Sequence, residues 1–302
     1  MKACKKIVLA YSGGLDTTVA IPWLKEHTGA AIIALCVDVG QPDDLHAAVK
    51  KAVAAGAVEA HIVDAREQFV HECIAPAIKA NALYEGVYPL LSALSRPVIA
   101  EQLVKAARAC GADAVAHGCT GKGNDQVRFE LALAALAPDL IVLAPARHWG
   151  FTRKDSVDYA KAHGMVYDAK HASPYSIDEN LWGRAIECGD IEDAWLAPPS
   201  DAFAITKNPE DAATNPEMLE LEFMAGVPTA MNGKPMELPD LIAETGCRAG
   251  ACGVGRIDHV ESRVVGMNSR EVYDCPAARV LIEAHKALEA RVLPREALSF
   301  KA

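Results

Sequence analysis

The chain has 302 residues, 51% of them hydrophobic and 23% charged, which places it among globular proteins and excludes a disordered or fibrous chain. With 30 Lys+Arg against 40 Asp+Glu the formal net charge is -10, and that balance counts against a general binder of nucleic acid or anionic membranes, both of which are negative themselves. A local basic pocket is compatible with it, and at roughly 150 residues per domain two domains are expected.

The start, Met1-Lys2-Ala3-Cys4-Lys5-Lys6 followed by Ile7 to Tyr11, has the basic opening of a signal peptide. Its apolar run ends at Ser12-Gly13-Gly14, too soon for a secretory core, and no later segment is long and apolar enough to span a bilayer, so a soluble, cytoplasmic protein is expected. Nine cysteines form no C-x-x-C, and Cys247 and Cys252, the closest informative pair, read as buried or incidental surface thiols. Neither a disulfide framework nor a dedicated metal-ligand spacing is present.

From Ile7 onward short apolar runs alternate with amphipathic ones. Ile7 to Tyr11, Ala31 to Val37, Ala60 to Val63, Ala114 to His117 and Leu140 to Leu143 predict buried strands. Between them, Thr17 to Glu26, Leu45 to Ala54, Pro97 to Ala109 and Gln126 to Leu136 predict helices. This alternation implies an α/β fold with a mostly parallel, doubly wound sheet, whose ligands bind beyond the carboxyl ends of the strands. Past a boundary near residue 170 prolines interrupt the chain, Met218 to Phe223 alternates like an antiparallel strand, and Asn232-Gly233 marks a hairpin turn. Arg279 to Ala290 predicts a surface helix with Leu281, Ile282, His285 and Leu288 near one face.

The loop after the first strand, Ala10-Tyr11-Ser12-Gly13-Gly14-Leu15-Asp16-Thr17-Thr18, opens a helix. Two glycines let backbone N–H groups converge on an anion, Ser12, Thr17 and Thr18 add hydroxyls, and the helix N-terminus supplies about half a positive charge. That is a phosphate cradle, and it is neither a Walker loop nor a complete dinucleotide fingerprint. The competing reading is a tight strand-to-helix turn with Asp16 or Thr17 as N-cap.

A second loop, His117-Gly118-Cys119-Thr120-Gly121-Lys122-Gly123-Asn124-Asp125-Gln126-Val127-Arg128, also runs from strand to helix. A helix beginning near Asn124 brings Asn124, Asp125 and Arg128 together at one end, where Asp125 can hold an ammonium and Arg128 can fork onto a carboxylate. An N-cap followed by a local Asp125–Arg128 ion pair explains the same residues equally well. Lys122 and Arg128 add positive charge to a loop that must attract anions in an acidic protein.

Ser12-Gly13-Gly14-Leu15-Asp16-Thr17 resembles the pyrophosphate loop of the N-type ATP pyrophosphatases, which split ATP between its α and β phosphates and adenylate a carbonyl oxygen. Gly118 to Glu130 is similar to the second signature of the argininosuccinate synthase family. Tyr84-Glu85-Gly86-Val87-Tyr88, Ser176-Ile177-Asp178-Glu179-Asn180 and Gly253-Val254-Gly255-Arg256-Ile257-Asp258 extend that resemblance along essentially the whole chain.

The resemblance implies a nucleotide-binding domain over 1–170, an α+β synthetase domain over 171–302, and a ligase joining citrulline to aspartate with ATP, through a citrullyl-adenylate. It implies that Ala10, Tyr11, Ser12, Gly13, Gly14, Leu15, Asp16, Thr17 and Thr18, with backbone near Val37 and Gly118, hold ATP. Thr120, Asn124 and Asp125 match aspartate-binding positions, Asn124 also facing citrulline. Tyr88, Arg128, Ser176, Glu261 and Tyr273 match citrulline contacts. Ser12, Asp16 and Asp125 are the candidate catalytic residues, and Mg²⁺ accompanies ATP, held mainly by phosphate oxygens and water. Read without the family, Tyr88, Ser176 and Tyr273 are packing or turn residues and Glu261 beside Arg263 is a solvated ion pair. The chain departs from the family at Ala93 and Ala185, where some members carry a serine facing citrulline, so that hydroxyl contact is either absent or shifted to a neighbour such as Ser92. Family members continue into a C-terminal segment that joins subunits as a homotetramer, whereas this chain stops at Ala302, which weakens the expectation of a tetramer. Another adenylating ligase, one modifying a tRNA base, is disfavoured by the acidic balance and by 6% aromatic content, too few rings for a basic, aromatic-interleaved RNA surface. A nucleotide binder without turnover is the third reading.

Overall fold

Local sequence pattern and helix punctuation lay out the elements in the computed structural model, which describes residues 4–121, 123–165, 173–212 and 215–301. β1 (Lys6–Ala10), α1 (Leu15–Thr28), β2 (Ala31–Asp38), α2 (Leu45–Ala54) and β3 (Glu59–Asp64) alternate as expected. A helical stretch follows as α3 (Arg66–Phe69), one π turn (Val70–Ile74) and α4 (Ala75–Ala80), and then the long α5 (Leu91–Cys110). Next come β4 (Ala114–Ala116), α6 (Asp125–Leu136), β5 (Ile141–Leu143), α7 (Pro145–His148) and α8 (Arg153–Ala162). The remainder runs β6 (Ser176–Asn180), β7 (Gly183–Glu187), β8 (Leu221–Met224), β9 (Val227–Met231), β10 (Lys234–Pro235), α9 (Leu238–Ala251), β11 (Arg256–Glu261), β12 (Ser269–Asp274), α10 (Pro276–Val292) and α11 (Arg295–Lys301).

Two compact units share these elements. One comprises Met1–Ala65, Ser95–Ala172 and Arg263–Gly266, and the other Arg66–Leu94, Ser173–Ser262 and Met267–Ala302. The sequence boundary expected near residue 170 lies outside the described residues.

In the first unit five parallel strands are ordered β3-β2-β1-β4-β5. β1 is central, and Ile7, Val8 and Leu9 are fully buried because helices cover both faces of a parallel sheet. β3 and β5 lie at the edges. There Glu59 and His61 are exposed and Ile141 and Val142 only half-buried, so these two strands are not the fully buried ones their apolar runs suggest. The order reverses between β1 and β4, and Leu9 pairs in register with Ala116, so the loops leaving these two strands start side by side at the switch point.

Two prolines sit inside helices. Pro22 lies within α1, and α5 begins at Leu91 rather than at Pro97, where the sequence suggested a start. A proline in a helix interior costs about 3 kcal/mol. Burial of Leu91, Ala93, Ser95 and Val98 around it carries α5 through.

The second unit is antiparallel. One sheet has the order β11-β12-β7-β6 and a smaller one β10-β9-β8, with Asn232 and Gly233 forming the turn between β9 and β10. α10 buries Leu281, Ile282 and His285 as its spacing predicts, while Leu288 stays partly exposed. Trp182, completely buried, donates its indole N–H to the carbonyl of Pro89 at 3.0 Å, and Asn180 Nδ2 donates to the carbonyl of Leu91 at 3.0 Å. The β6–β7 turn thus anchors the chain just after Tyr88. Among the described residues no helix is long and apolar enough to cross a membrane.

Candidate active site

The first loop folds as the sequence requires. Gly14 is the N-cap of α1 with extended backbone and no side-chain cap, so the first N–H groups of the helix are not taken by a capping side chain. The turn reading with Asp16 or Thr17 as N-cap is therefore not the geometry found. Gly13 has φ +79, and a Cβ there would stand 3.1 Å from Ala48 Cβ, so both the backbone and the neighbouring helix call for glycine.

Hydroxyls line the loop in two layers. Tyr11 Oη lies 2.9 Å from Thr18 Oγ1, and Ser12 Oγ lies 3.1 Å from Thr17 Oγ1. Thr18 Oγ1 donates to the Gly14 carbonyl at 2.6 Å. Burial pushes the Tyr11 phenol up to about 12, so it stays a neutral donor. Ser12, Gly14 and Asp16 remain exposed and Leu15 half-buried, while Thr17 and Thr18 are buried beneath them. The Asp16 carboxyl accepts the Ser156 hydroxyl at 3.4 Å. Ala10 closes β1, and Val37 is buried near the end of β2 with its carbonyl taken by Gln41 Nε2 at 2.9 Å.

The second loop packs directly on the first helix. A Cβ on Gly118 would lie 2.8 Å from Thr17 Cγ2, so glycine is the residue that lets the loop after β4 approach α1. Lys122 lies outside the described residues. Thr120 is exposed. Asn124 is the N-cap of α6, and its Oδ1 accepts the backbone N–H of Val264 at 2.7 Å, tying the loop to the segment Arg263–Gly266.

Asp125 carries the densest pairing. Its Oδ2 accepts from Arg96 Nε at 2.8 Å and Nη2 at 2.5 Å, and its Oδ1 accepts from Arg128 Nη1 at 2.6 Å. Burial works against the charge, but Arg96 and Arg128 hold the carboxyl below its ordinary value. The local ion pair read from the spacing is present, and Arg96 joins it from α5. A carboxylate accepts about four hydrogen bonds, and these two arginines account for three of them.

His117, which the sequence placed only at a strand end, is fully buried. Its Nδ1 accepts the Cys119 N–H at 3.3 Å, which puts the proton of the neutral ring on Nε2. Nε2 has no hydrogen-bond partner among the described residues, Glu130 Oε1 being 3.9 Å away, and the ring stacks on Phe129 with centroids 5.2 Å apart. Burial, helped by Arg147, drops its pKa from 6.5 to about 4. The unfolded chain therefore takes up this proton first. Stability is complete above the unfolded value and declines as pH falls from 6.5 toward about 4, by on the order of 3 kcal/mol. Urea titrations across that window should show the slope in the parent and lose that part of it in His117→Gln. An unchanged slope would discard the assignment.

In the second unit a different cluster forms. The tight turn Tyr84 to Tyr88 is closed by reciprocal backbone bonds, Tyr84 N–H to Tyr88 O at 2.7 Å and Tyr88 N–H to Tyr84 O at 3.0 Å. Glu85 sits in it at φ +51, its carboxylate accepting from the Ser262 hydroxyl and from His259 Nε2, and these bonds hold that carboxyl below the usual range. Tyr84 Oη reaches Ser262 Oγ at 2.9 Å. So fixed, the Tyr88 ring stacks on Tyr273 with centroids 4.1 Å apart and planes 8° apart, and Tyr88 Oη lies 3.1 Å from Ser92 Oγ. Tyr273 donates to Glu261 Oε2 at 2.5 Å. Glu261 is only 5% exposed, so it is not the solvated charge that its place beside Arg263 in the sequence suggested. Ala93 and Ala185 are buried, Ala185 lying opposite Tyr273 across β7 and β12, and Ser92 holds the nearby hydroxyl. Ser176 is exposed at the first position of β6, opposite Glu187.

The structure brings Tyr11, Ser12, Thr17 and Thr18 together in the first loop, Asp125 and Arg128 at the start of α6, and Tyr88, Ser92, Glu261 and Tyr273 in the second unit, while Thr120 and Ser176 are exposed and lie outside the contacts described for these groups. Sequence reasoning overlooked Arg96, His117, Glu85 and Lys51. The signal for Arg96 was an arginine between buried Ser95 and Val98. For Glu85 it was its place in a motif of which only Tyr88 had been given a role.

Fold and first loop together define an α/β nucleotide-binding domain whose anion cradle sits at the switch point of a parallel sheet. Residues 6–166 match the family model described as arginosuccinate synthase N-terminal HUP domain, and residues 175–302 match arginosuccinate synthase C-terminal domain. An argininosuccinate synthase of Geobacillus thermodenitrificans is 53% identical over 296 residues, covering 98% of this chain and 73% of that protein. That of Gloeobacter violaceus is 54% identical over 298 residues (98% and 75% covered), and that of Streptococcus thermophilus 52% over 297 (98% and 74%). The chain belongs to the argininosuccinate synthase family and is a ligase of that kind.

Proposed function

We propose that this chain condenses citrulline with aspartate using ATP, releasing AMP and pyrophosphate, by way of a citrullyl-adenylate. The observation that carries this reading is the loop Ser12 to Thr17, with its N-terminally uncapped helix and glycine-only Gly13, in a chain that follows the family over 98% of its length. A ureido carbon is a poor electrophile with a poor leaving group. Attack of the ureido oxygen on the α-phosphorus breaks the bond to the β-phosphate, expels pyrophosphate and leaves AMP as a good leaving group. The aspartate amine then attacks the ureido carbon, loses its proton and expels AMP.

Each group has a supporting residue. Ser12 with the Gly13 and Gly14 backbone receives the pyrophosphate, where charge develops as the bond breaks. Val37 and Gly118 contribute backbone to the nucleotide site. Thr120, Asn124 and Asp125 take aspartate, and Arg128, Tyr88, Ser92, Ser176, Glu261 and Tyr273 take citrulline. Mg²⁺ bound with ATP would neutralise phosphate charge. The loop itself offers one carboxylate, Asp16, so phosphate oxygens and water would supply most of its coordination.

The test is a pyrophosphate-release assay on the purified chain. Release that requires both ATP and citrulline, with AMP and argininosuccinate accumulating only once aspartate is added, is the expected outcome. Nucleotide binding without citrulline-dependent turnover would leave the inactive-binder reading, and turnover requiring tRNA would sink both. Light scattering on the same preparation tests for the family's homotetramer.

A further inference from the structure

α2 touches the first loop with two residues on one face, Ala48 and Lys51, three positions apart. Ala48 is the side chain that a Cβ on Gly13 would meet. Lys51 Nζ donates to the carbonyl oxygen of Gly13 at 2.6 Å, across 38 residues of chain. In a trans peptide the carbonyl and the following N–H point in opposite directions. A Gly13 carbonyl held toward α2 therefore turns the Gly14 N–H away from it, to the open side of the loop, where it donates to Ser12 Oγ at 3.3 Å, a weak bond that a phosphate oxygen can replace or share. Lys51 is half-buried, and burial lowers its pKa, so this ammonium has given up water to sit beside the loop. In a chain of net charge -10, positive potential for a polyphosphate has to be concentrated locally. Lys51 supplies it where the glycine pair is.

We infer that Lys51 is a positioning residue of the pyrophosphate loop, its ammonium locking the Gly13 carbonyl so that the Gly14 N–H faces the leaving pyrophosphate, and adding one positive charge beside it. This rests on the ATP reading proposed above. It sets Lys51 apart from a lysine that only fastens α2 to the sheet. A fastener changes melting behaviour and leaves the balance among substrates alone, whereas a positioning residue acts on the polyphosphate terms selectively.

The experiment compares Lys51→Met and Lys51→Arg with the parent in the full chain, reading the KM of each substrate, inhibition by added inorganic pyrophosphate, and thermal unfolding. Lys51→Met is expected to raise the KM for ATP and weaken pyrophosphate inhibition by about 10–100-fold, leaving citrulline and aspartate KM within about twofold. Lys51→Arg, which returns a cation and a donor, is expected to recover most of that loss. A folded Lys51→Met with unchanged pyrophosphate inhibition overturns the inference. If Lys51→Met does not fold, Lys51→Gln, a neutral donor, takes its place, with weakened inhibition supporting the role and unchanged inhibition overturning it. A parent that neither turns over ATP nor binds pyrophosphate overturns the loop reading itself. A parent that does both, beside an unaffected variant, overturns Lys51 alone.

Discussion

Asp125→Asn should lower kcat/KM for aspartate by about a hundredfold or more while the KM for ATP stays within about a factor of two. The carboxylate is the anionic centre of a three-residue set, with side-chain exposures of 13% for Arg96, 22% for Asp125 and 24% for Arg128. An asparagine has nearly the same shape, but it presents one acceptor oxygen and turns an amide toward a guanidinium. Two arginines are then left close together with their counter-charge gone. Breaking a buried pair by removing one partner costs about 3–5 kcal/mol, and partial exposure here places the expected loss of folding stability at or below the low end. Stability therefore falls too, and kinetics separate the roles. An effect confined to aspartate is what a substrate-facing carboxylate produces. Urea unfolding that shows the loss with unchanged aspartate kinetics would reduce Asp125 to an anchor for Arg96 and Arg128.

The same variant has a pH signature. Because the arginines hold the Asp125 carboxyl below its ordinary 3.8, its contribution is present above that value and lost as pH falls through the lower, folded value. Asp125→Asn should erase that acid limb, while the His117 slope between 6.5 and about 4 persists, its acid end moved lower because the Asp125 charge, the weakest of the influences that act on His117, is gone.

The second large effect is expected at Glu261. This carboxylate is 5% exposed and receives the Tyr273 hydroxyl at 2.5 Å, in a wall closed by the stacked rings of Tyr88 and Tyr273. Burial drives the Tyr273 phenol far up, with the neighbouring Tyr88 and Glu261 adding to it, so Tyr273 is a fixed neutral donor. A buried anion held this way suits the ammonium of an amino-acid substrate. Truncating one partner of a buried hydrogen-bonded charge pair costs about 2–5 kcal/mol, so Glu261→Gln should raise the citrulline KM by about a hundredfold. ATP binding, measured separately, should not move. Tyr273→Phe is the control, removing one hydrogen bond while keeping the ring stack. A lowered melting temperature with citrulline KM unchanged in Glu261→Gln would make the carboxylate purely structural.

Much of the first unit was legible from residue order. Apolar runs of four to seven residues between helical periodicities bury themselves as strands of a parallel sheet, and β1, β2 and β4 fall within a residue of where Ile7 to Tyr11, Ala31 to Val37 and Ala114 to His117 put them. The loop after β1 was equally plain, because serine, two glycines and threonines at the start of a helix act through backbone geometry that is local. Edge position was not legible. β5 is as apolar in sequence as the inner strands, and in β3 only Glu59, His61 and Asp64 hint at exposure, so strand order decides which strands are covered. Pro97 misled for a related reason, since its local penalty is outweighed by packing that the sequence does not display.

The sequence by itself determined the class of fold, the phosphate cradle and the ligase family, because each is carried by short contiguous strings whose conformation follows from their own residues. Tertiary structure decided which charges meet. Arg96 finds Asp125 across 29 positions, Lys51 finds Gly13 across 38, and Val264 finds Asn124 across 140. The strength of such pairs depends on distance and on how far water is excluded, two quantities that residue order does not contain. For that reason Glu261, which beside Arg263 looked like an ordinary surface charge, is a buried anion gripped by a tyrosine.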